Sequence, residues 1–171
     1  FQAIYRQKPD LLLFSCYIWN RQVILETAEN IKKVLPDTII WAGGPEVSYD
    51  APEFLEQYPF FDGVMVGEGE ATFRELLGWY VDGEGCLEKI PGIVFRDFTE
   101  SAASEKERIC ITAPRQPLRT LDEVPFVYTN LEEFENRIIY YESSRGCPFS
   151  CSYCLSSIDK KVRFRSLELV K

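Results

Sequence analysis

The chain has 171 residues, 46% of them hydrophobic, and a formal net charge of −8. That apolar share supports a packed core and excludes wholesale disorder, while the acidic balance disfavours nucleic acid as the main partner. There is no histidine, which removes Ser–His and Cys–His nucleophile pairs and the Cys2His2 zinc sites.

Phe1 to Gln7 reads as the tail of a helix, and Lys8-Pro9-Asp10 as a turn. The run from Leu11 to Ile18 is almost continuously apolar, as in a strand covered on both faces. Extended to Trp19, it is still far short of the roughly 20 residues that cross a bilayer, so no membrane partner is expected. Nothing resembles a basic-then-apolar leader, which points to a cytoplasmic protein. Asn20 is placed to cap a helix carrying Ile24, Ala28, Ile31 and Leu35 at helical spacing, ended by Pro36. A second buried strand, Thr38 to Ala42, runs into Gly43-Gly44-Pro45-Glu46. Asp50 and Glu53 have capping-box spacing for a short helix over Pro52 to Tyr58. A third strand, Gly63 to Val66, leads into Gly67-Glu68-Gly69-Glu70. The helix after it carries Phe73, Leu76, Leu77 and Tyr80 on one face and ends at Gly83 and Gly85.

This alternation predicts an α/β fold over 1–85 with a doubly wound, Rossmann-like or flavodoxin-like parallel sheet. Over 86–136 the pattern changes to a hairpin linker. Ile93 to Arg96 and Ile109 to Thr112 form its strands, Thr99 to Arg108 its polar tip, and Pro114, Pro117 and Pro125 mark an extended connection. A third section, 137–171, opens with a strand over Ile138 to Glu142, and a helix begins near Ser166. Both ends fall inside such elements, so the chain reads as a piece of a longer protein.

The third section carries the densest chemistry. Cys147, Cys151 and Cys154 follow one another as Cys-x3-Cys-x2-Cys, while Cys16, Cys86 and Cys110 are scattered. Three soft thiolates on one short loop suit an iron–sulfur cluster that keeps one iron free of protein ligands. Gly146 permits close backbone approach, Pro148 stiffens the loop, and Phe149 and Tyr153 are placed to shield a cluster from water. The same spacing also fits three buried cysteines on one helix face, or a zinc site that borrows a distant fourth ligand.

With Ser-Arg-Gly-Cys-Pro leading in and an aromatic residue before the third cysteine, this stretch resembles the radical S-adenosylmethionine (SAM) superfamily. The resemblance implies that Cys147, Cys151 and Cys154 hold a [4Fe–4S] cluster whose open iron is chelated by SAM. It further implies one-electron cleavage of SAM to a 5′-deoxyadenosyl radical, fed by an external donor such as ferredoxin or flavodoxin. Tyr153 matches the family position near the SAM adenine. Ile138 to Glu142 would be the first strand of the family's partial TIM barrel, the rest of which would lie beyond Lys171.

In a doubly wound sheet, ligands sit beyond the C-terminal ends of the strands. The loops there are Ser15-Cys16-Tyr17, Gly43-Gly44-Pro45 and Gly67-Glu68-Gly69-Glu70. Glycines at such ends also occur without any ligand, and no Gly-x-Gly-x-x-Gly is present for a dinucleotide. Gly-Gly-Pro after one strand and Val-x-Gly-Glu-Gly-Glu-x-Thr-Phe after the next resemble the cobalamin-binding domain fused upstream of many radical SAM enzymes. The Pro-rich link Leu121 to Pro125 is similar too. The resemblance implies cobalamin contacts at Ser15, Cys16, Gly43, Gly44, Pro45, Gly67, Glu68 and Gly69. It implies methyl transfer, rearrangement or cyclisation on a small-molecule or peptide substrate. Where many relatives have His after Gly-Gly-Pro, this chain has Glu46. The competing readings are a non-catalytic corrinoid-binding or flavodoxin-like module with structural cysteines, and a tRNA methylthiotransferase.

Overall fold

The structure, a computed structural model, describes residues 1–97, 108–128 and 130–170. It divides into two compact units, Phe1–Pro117 and Leu118–Lys171.

The first unit is built on a five-stranded sheet in the order β1-β2-β3-β4-β5. The strands are β1 (Leu11–Ser15), β2 (Ile39–Gly43), β3 (Gly63–Met65), β4 (Ile93–Asp97) and β5 (Arg108–Ile111). β1, β2 and β3 are parallel, whereas β4 and β5 add antiparallel. The sheet is thus mixed α/β and Rossmann-like, and the hairpin expected as a linker continues it. The hairpin's predicted polar tip lies outside the described residues.

Side-chain alternation along each strand divides the core between the two faces. After the short helix α1 (Gln2–Gln7), Leu12, Phe14, Ile40, Ala42, Val64 and Val94 join α2 (Arg21–Val34), α3 (Pro45–Ser48) and α4 (Ala51–Gln57) on one side. Trp41, Ile93 and Phe95 pack with Leu76 of α5 (Gly69–Leu77) and with Trp79 and Tyr80 of the π-helical turn Gly78–Asp82 on the other. α2 buries Ile24, Leu25, Ala28 and Ile31, close to the predicted stripe. Trp41 is fully buried and pairs in register with Gly63, where an added Cβ would lie 2.5 Å from the indole ring. The indole Nε1–H donates to the Tyr80 hydroxyl at 3.1 Å.

Two carboxylate and guanidinium anchors hold layers together. Asp62 Oδ2, just before β3, accepts from Ile40 N at 2.6 Å and pairs with Lys32 Nζ of α2 at 2.9 Å. Arg96, buried on β4, donates from Nε to Phe61 O at 2.8 Å and from Nη2 to Leu55 O. That satisfies a carbonyl left open in the last turn of α4. Asp50 precedes α4 as predicted, but its side chain makes no capping hydrogen bond.

Burial pushes the Tyr80 phenol above its ordinary pKa, against the lowering hydrogen bond from Trp41, and the charge of Asp62 adds to the rise. Burial likewise raises the Cys16 thiol, opposed by Arg21 and aided by Glu46. Both groups therefore hold their protons more tightly folded than unfolded. Their contribution is complete below the ordinary values and is lost as pH rises through the folded ones. The melting temperature is expected to fall above about pH 9. Thermal melts from neutral to strongly alkaline pH check this, and a flat profile would contradict it.

In the second unit, Ile138 to Glu142 is not a strand. Ile138 and Tyr140 are exposed, and the Tyr128 hydroxyl takes both backbone groups of Tyr140, accepting from its N–H at 3.2 Å and donating to its carbonyl at 2.8 Å. Without a neighbouring strand, a β-prone run has nothing to pair with. The extended structure there is the two-residue pair β6 (Ser144–Arg145) and β7 (Arg163–Phe164), antiparallel. The predicted last helix forms as α6 (Leu167–Val170). No described helix is long and apolar enough to cross a membrane.

Candidate functional site

The parallel strands bring their three following loops to one end of the sheet, and hydrogen bonds lace the loops together. The first is closed by Asn20, whose Oδ1 accepts from Tyr17 N at 2.7 Å and whose Nδ2 donates to Ser15 O at 2.9 Å. Asn20 thus stands before α2 as predicted, but its side chain ties the loop instead of capping the helix. Cys16 N–H donates to Gly43 O at 2.7 Å, and Glu46 N–H donates back to Cys16 O at 3.4 Å. Gly44, at φ +101°, lies so close that a Cβ would stand 2.5 Å from Cys16 O; only glycine fits both the angle and the gap. Ser48 Oγ donates to Gly44 O at 2.8 Å and accepts from Gly67 N at 3.4 Å, which joins the second loop to the third.

Of the predicted contacts, Ser15 ends β1, Gly43 ends β2, and Pro45 opens α3. Cys16 is wholly buried in the core, so its side chain belongs to the packing and its backbone to the loop. Glu68 precedes α5 and Gly69 begins it. At Gly67 and Gly69 a Cβ would meet nothing within 4 Å, which leaves backbone facing open space.

The feature missed in the sequence is the outward turn of Tyr17, Ile18 and Trp19. Ile18 and Trp19 are 78% and 76% exposed, and the Tyr17 and Trp19 rings stack 4.7 Å apart at an interplanar angle of 7°. The signal was present: an aromatic pair straddling one residue at the end of a buried strand. The unbroken apolar run made it look like more strand. The stacked rings thus leave apolar surface exposed at the same end of the sheet as the open glycine backbone.

The cysteine loop in the second unit is fastened separately. Cys147 N–H donates to Asp159 O at 2.8 Å, and Asp159 pairs with the buried Arg163. The Ser157 hydroxyl lies 2.7 Å from Cys154 O and 2.9 Å from Cys151 O, sharing one proton between them. The three thiols are half-buried, whereas Phe149 and Tyr153 are exposed. In number and type the thiols match an iron–sulfur cluster. The described residues nevertheless contain no group of three or more His, Cys, Asp or Glu side chains gathered as for a metal ion, so the loop as folded does not bring the three sulfurs to one point.

The Rossmann-like sheet carries glycine-bearing and aromatic loops at the C-terminal ends of its parallel strands. A family model described as the B12 binding domain matches residues 1–77. It is 34% identical over 151 residues to the cobalamin-dependent radical SAM methyltransferase TokK of Streptomyces tokunonensis, covering 86% of this chain and 22% of that protein. It is 31% identical to the 2-(S-pantetheinyl)-carbapenam-3-carboxylate methyltransferase of Streptantibioticus cattleyicolor, covering 85% of this chain and again 22% of the relative. In fold it is similar to the cobalamin-dependent SAM radical enzyme OxsB in a structure with aqua-cobalamin bound, with a TM-score of 0.74 and 22% identity, over 99% of this chain and 23% of that one. The chain therefore spans about a fifth of the length of these relatives.

Proposed function

We propose that this chain is the cobalamin-carrying part of a cobalamin-dependent radical SAM methyltransferase. The observation that carries the reading is the laced rim at the strand ends. Three loops fix one another through backbone hydrogen bonds and leave a stacked aromatic pair and open glycine backbone facing outward. Residues 15–19, 43–45 and 67–69 would hold the cofactor. Tyr17, Ile18 and Trp19 offer apolar area to a corrin, and Gly67 and Gly69 let the backbone come close to it. Bound cobalamin supplies methyl-carrier chemistry; the domain's share is to orient it and shield it from water. No histidine in these residues is available to ligate cobalt.

In the same reading Cys147, Cys151 and Cys154 supply thiolates to a [4Fe–4S] cluster of the longer protein, with Tyr153 near the adenine of SAM. An external one-electron donor and a small-molecule or peptide substrate are then its partners. The similarity to TokK spans 151 residues and so reaches well beyond the B12-binding stretch, which supports this extension.

Anaerobic reconstitution of the full-length protein with iron and sulfide tests it. Cluster iron is expected in the wild type, an EPR signal that changes on adding SAM, and loss of that iron in Cys151→Ala with cobalamin retained. Iron and sulfide content that survives Cys151→Ala would refute the ligand assignment.

A further inference from the structure

The second unit holds a cavity of about 190 Å³ that no part of the reading above uses. Its walls include Phe126, Tyr128, Tyr141, Glu142, Arg145 and Arg165. The aromatic wall is interlocked: Phe126 packs edge-on against Tyr128 at 5.8 Å and against Tyr141 at 5.7 Å between ring centroids. Tyr128 has spent its hydroxyl on the Tyr140 backbone, as described above, so these rings present apolar surface in fixed positions.

The charge distribution on the wall is uneven. Arg145 pairs with Glu142, Nη2 to Oε2 at 2.7 Å. Arg165 is 9% exposed, and among the described residues no carboxylate neutralises it. Its guanidinium donates once, from Nη2 to Val124 O at 2.6 Å, and lies over the Tyr141 ring at 5.9 Å. Its Nε–H is buried without an acceptor. A largely buried guanidinium with an unused donor is costly unless its charge is matched. The rest of the wall limits which anion. Glu142 and Arg145 form a pair that is neutral as a whole, which leaves the single charge of Arg165 to match one anionic group, and the apolar rings favour a ligand with a flat hydrophobic body. The volume matches one ring, since a dry cavity of about 150 Å³ accepts benzene.

We infer that this cavity is a binding site for a small monocarboxylate with a flat apolar body, its carboxylate paired with Arg165 and its body against Phe126 and Tyr141. The carboxylate comes either from a free small molecule or from an acidic group of the longer protein that enters beside an aromatic ring. The chemistry recognised is the same.

The test titrates benzoate, with benzamide as its neutral isostere, against the 171-residue chain by ligand-observed NMR. Saturable benzoate binding is expected, at least tenfold tighter than benzamide, and at least tenfold weaker in Arg165→Gln. Phe126→Trp, which keeps the guanidinium and fills the cavity, is expected to abolish binding even if Arg165→Gln fails to fold. Repeating the titration on the full-length protein separates the sources. Retained binding identifies a free ligand, and binding seen only with the 171-residue chain identifies a group of the protein itself. No saturable binding to the 171-residue chain, equal affinity for benzamide, or unchanged binding by Phe126→Trp would overturn the inference.

Discussion

Replacing Gly44 by Ala is expected to destabilise the first unit by about 3 kcal/mol and to abolish cobalamin retention. Two costs fall on one atom. Gly44 has φ +101°, which a side chain adopts only with strain, and the new Cβ would stand 2.5 Å from Cys16 O and 3.1 Å from Cys16 N. Neither neighbour is a flexible side-chain end that swings away; both are backbone. Moving Cys16 breaks its hydrogen bond to Gly43 O and drags the first loop out of register with the second. Urea unfolding followed by tryptophan fluorescence, to which the buried Trp41 contributes, measures the stability loss. A midpoint equal to that of the wild type would show that the loops are not fixed at this point.

Trp19→Ala is expected to have the opposite profile. Trp19 is 76% exposed and its ring contact is with Tyr17, so stability should stay within about 0.5 kcal/mol. Affinity for cobalamin should fall about tenfold, the equivalent of ~1.4 kcal/mol, through lost apolar contact with the corrin. Difference absorption titration with aquacobalamin reads the affinity, and a thermal melt reads the fold. A variant that binds as tightly as the wild type would remove Trp19 from the rim.

The contrast between these two residues shows where the sequence was legible. The three parallel strands announced themselves as apolar runs, the second and third with glycine after them, because strands buried on both faces leave no polar alternation. Their ends were less plain. β1 stops at Ser15 instead of Ile18 because Asn20 captures Ser15 O and Tyr17 N, a side-chain bond that no hydrophobic period encodes. The same bond turned a supposed cap into a loop tie and swung Trp19 into solvent.

The hairpin was recognised, yet its place in the sheet was not. Ile93 and Phe95 belong with Trp41 while Val94 faces the other layer. Such a run reads equally well as a free hairpin until its neighbour β3 is known. Ile138 to Glu142 failed for the converse reason, having strand composition and no strand to pair with. For the cysteines, spacing and ligand type were visible, but whether three sulfurs converge depends on backbone closure around them, which spacing does not encode.

We propose that the rim at the strand ends holds cobalamin. This is tested most directly by mixing the folded chain with aquacobalamin and passing it through gel filtration. A corrin absorption band is expected to elute with the protein in equimolar amount, and to be lost in Gly44→Ala. A folded wild-type chain that elutes free of the band would contradict it.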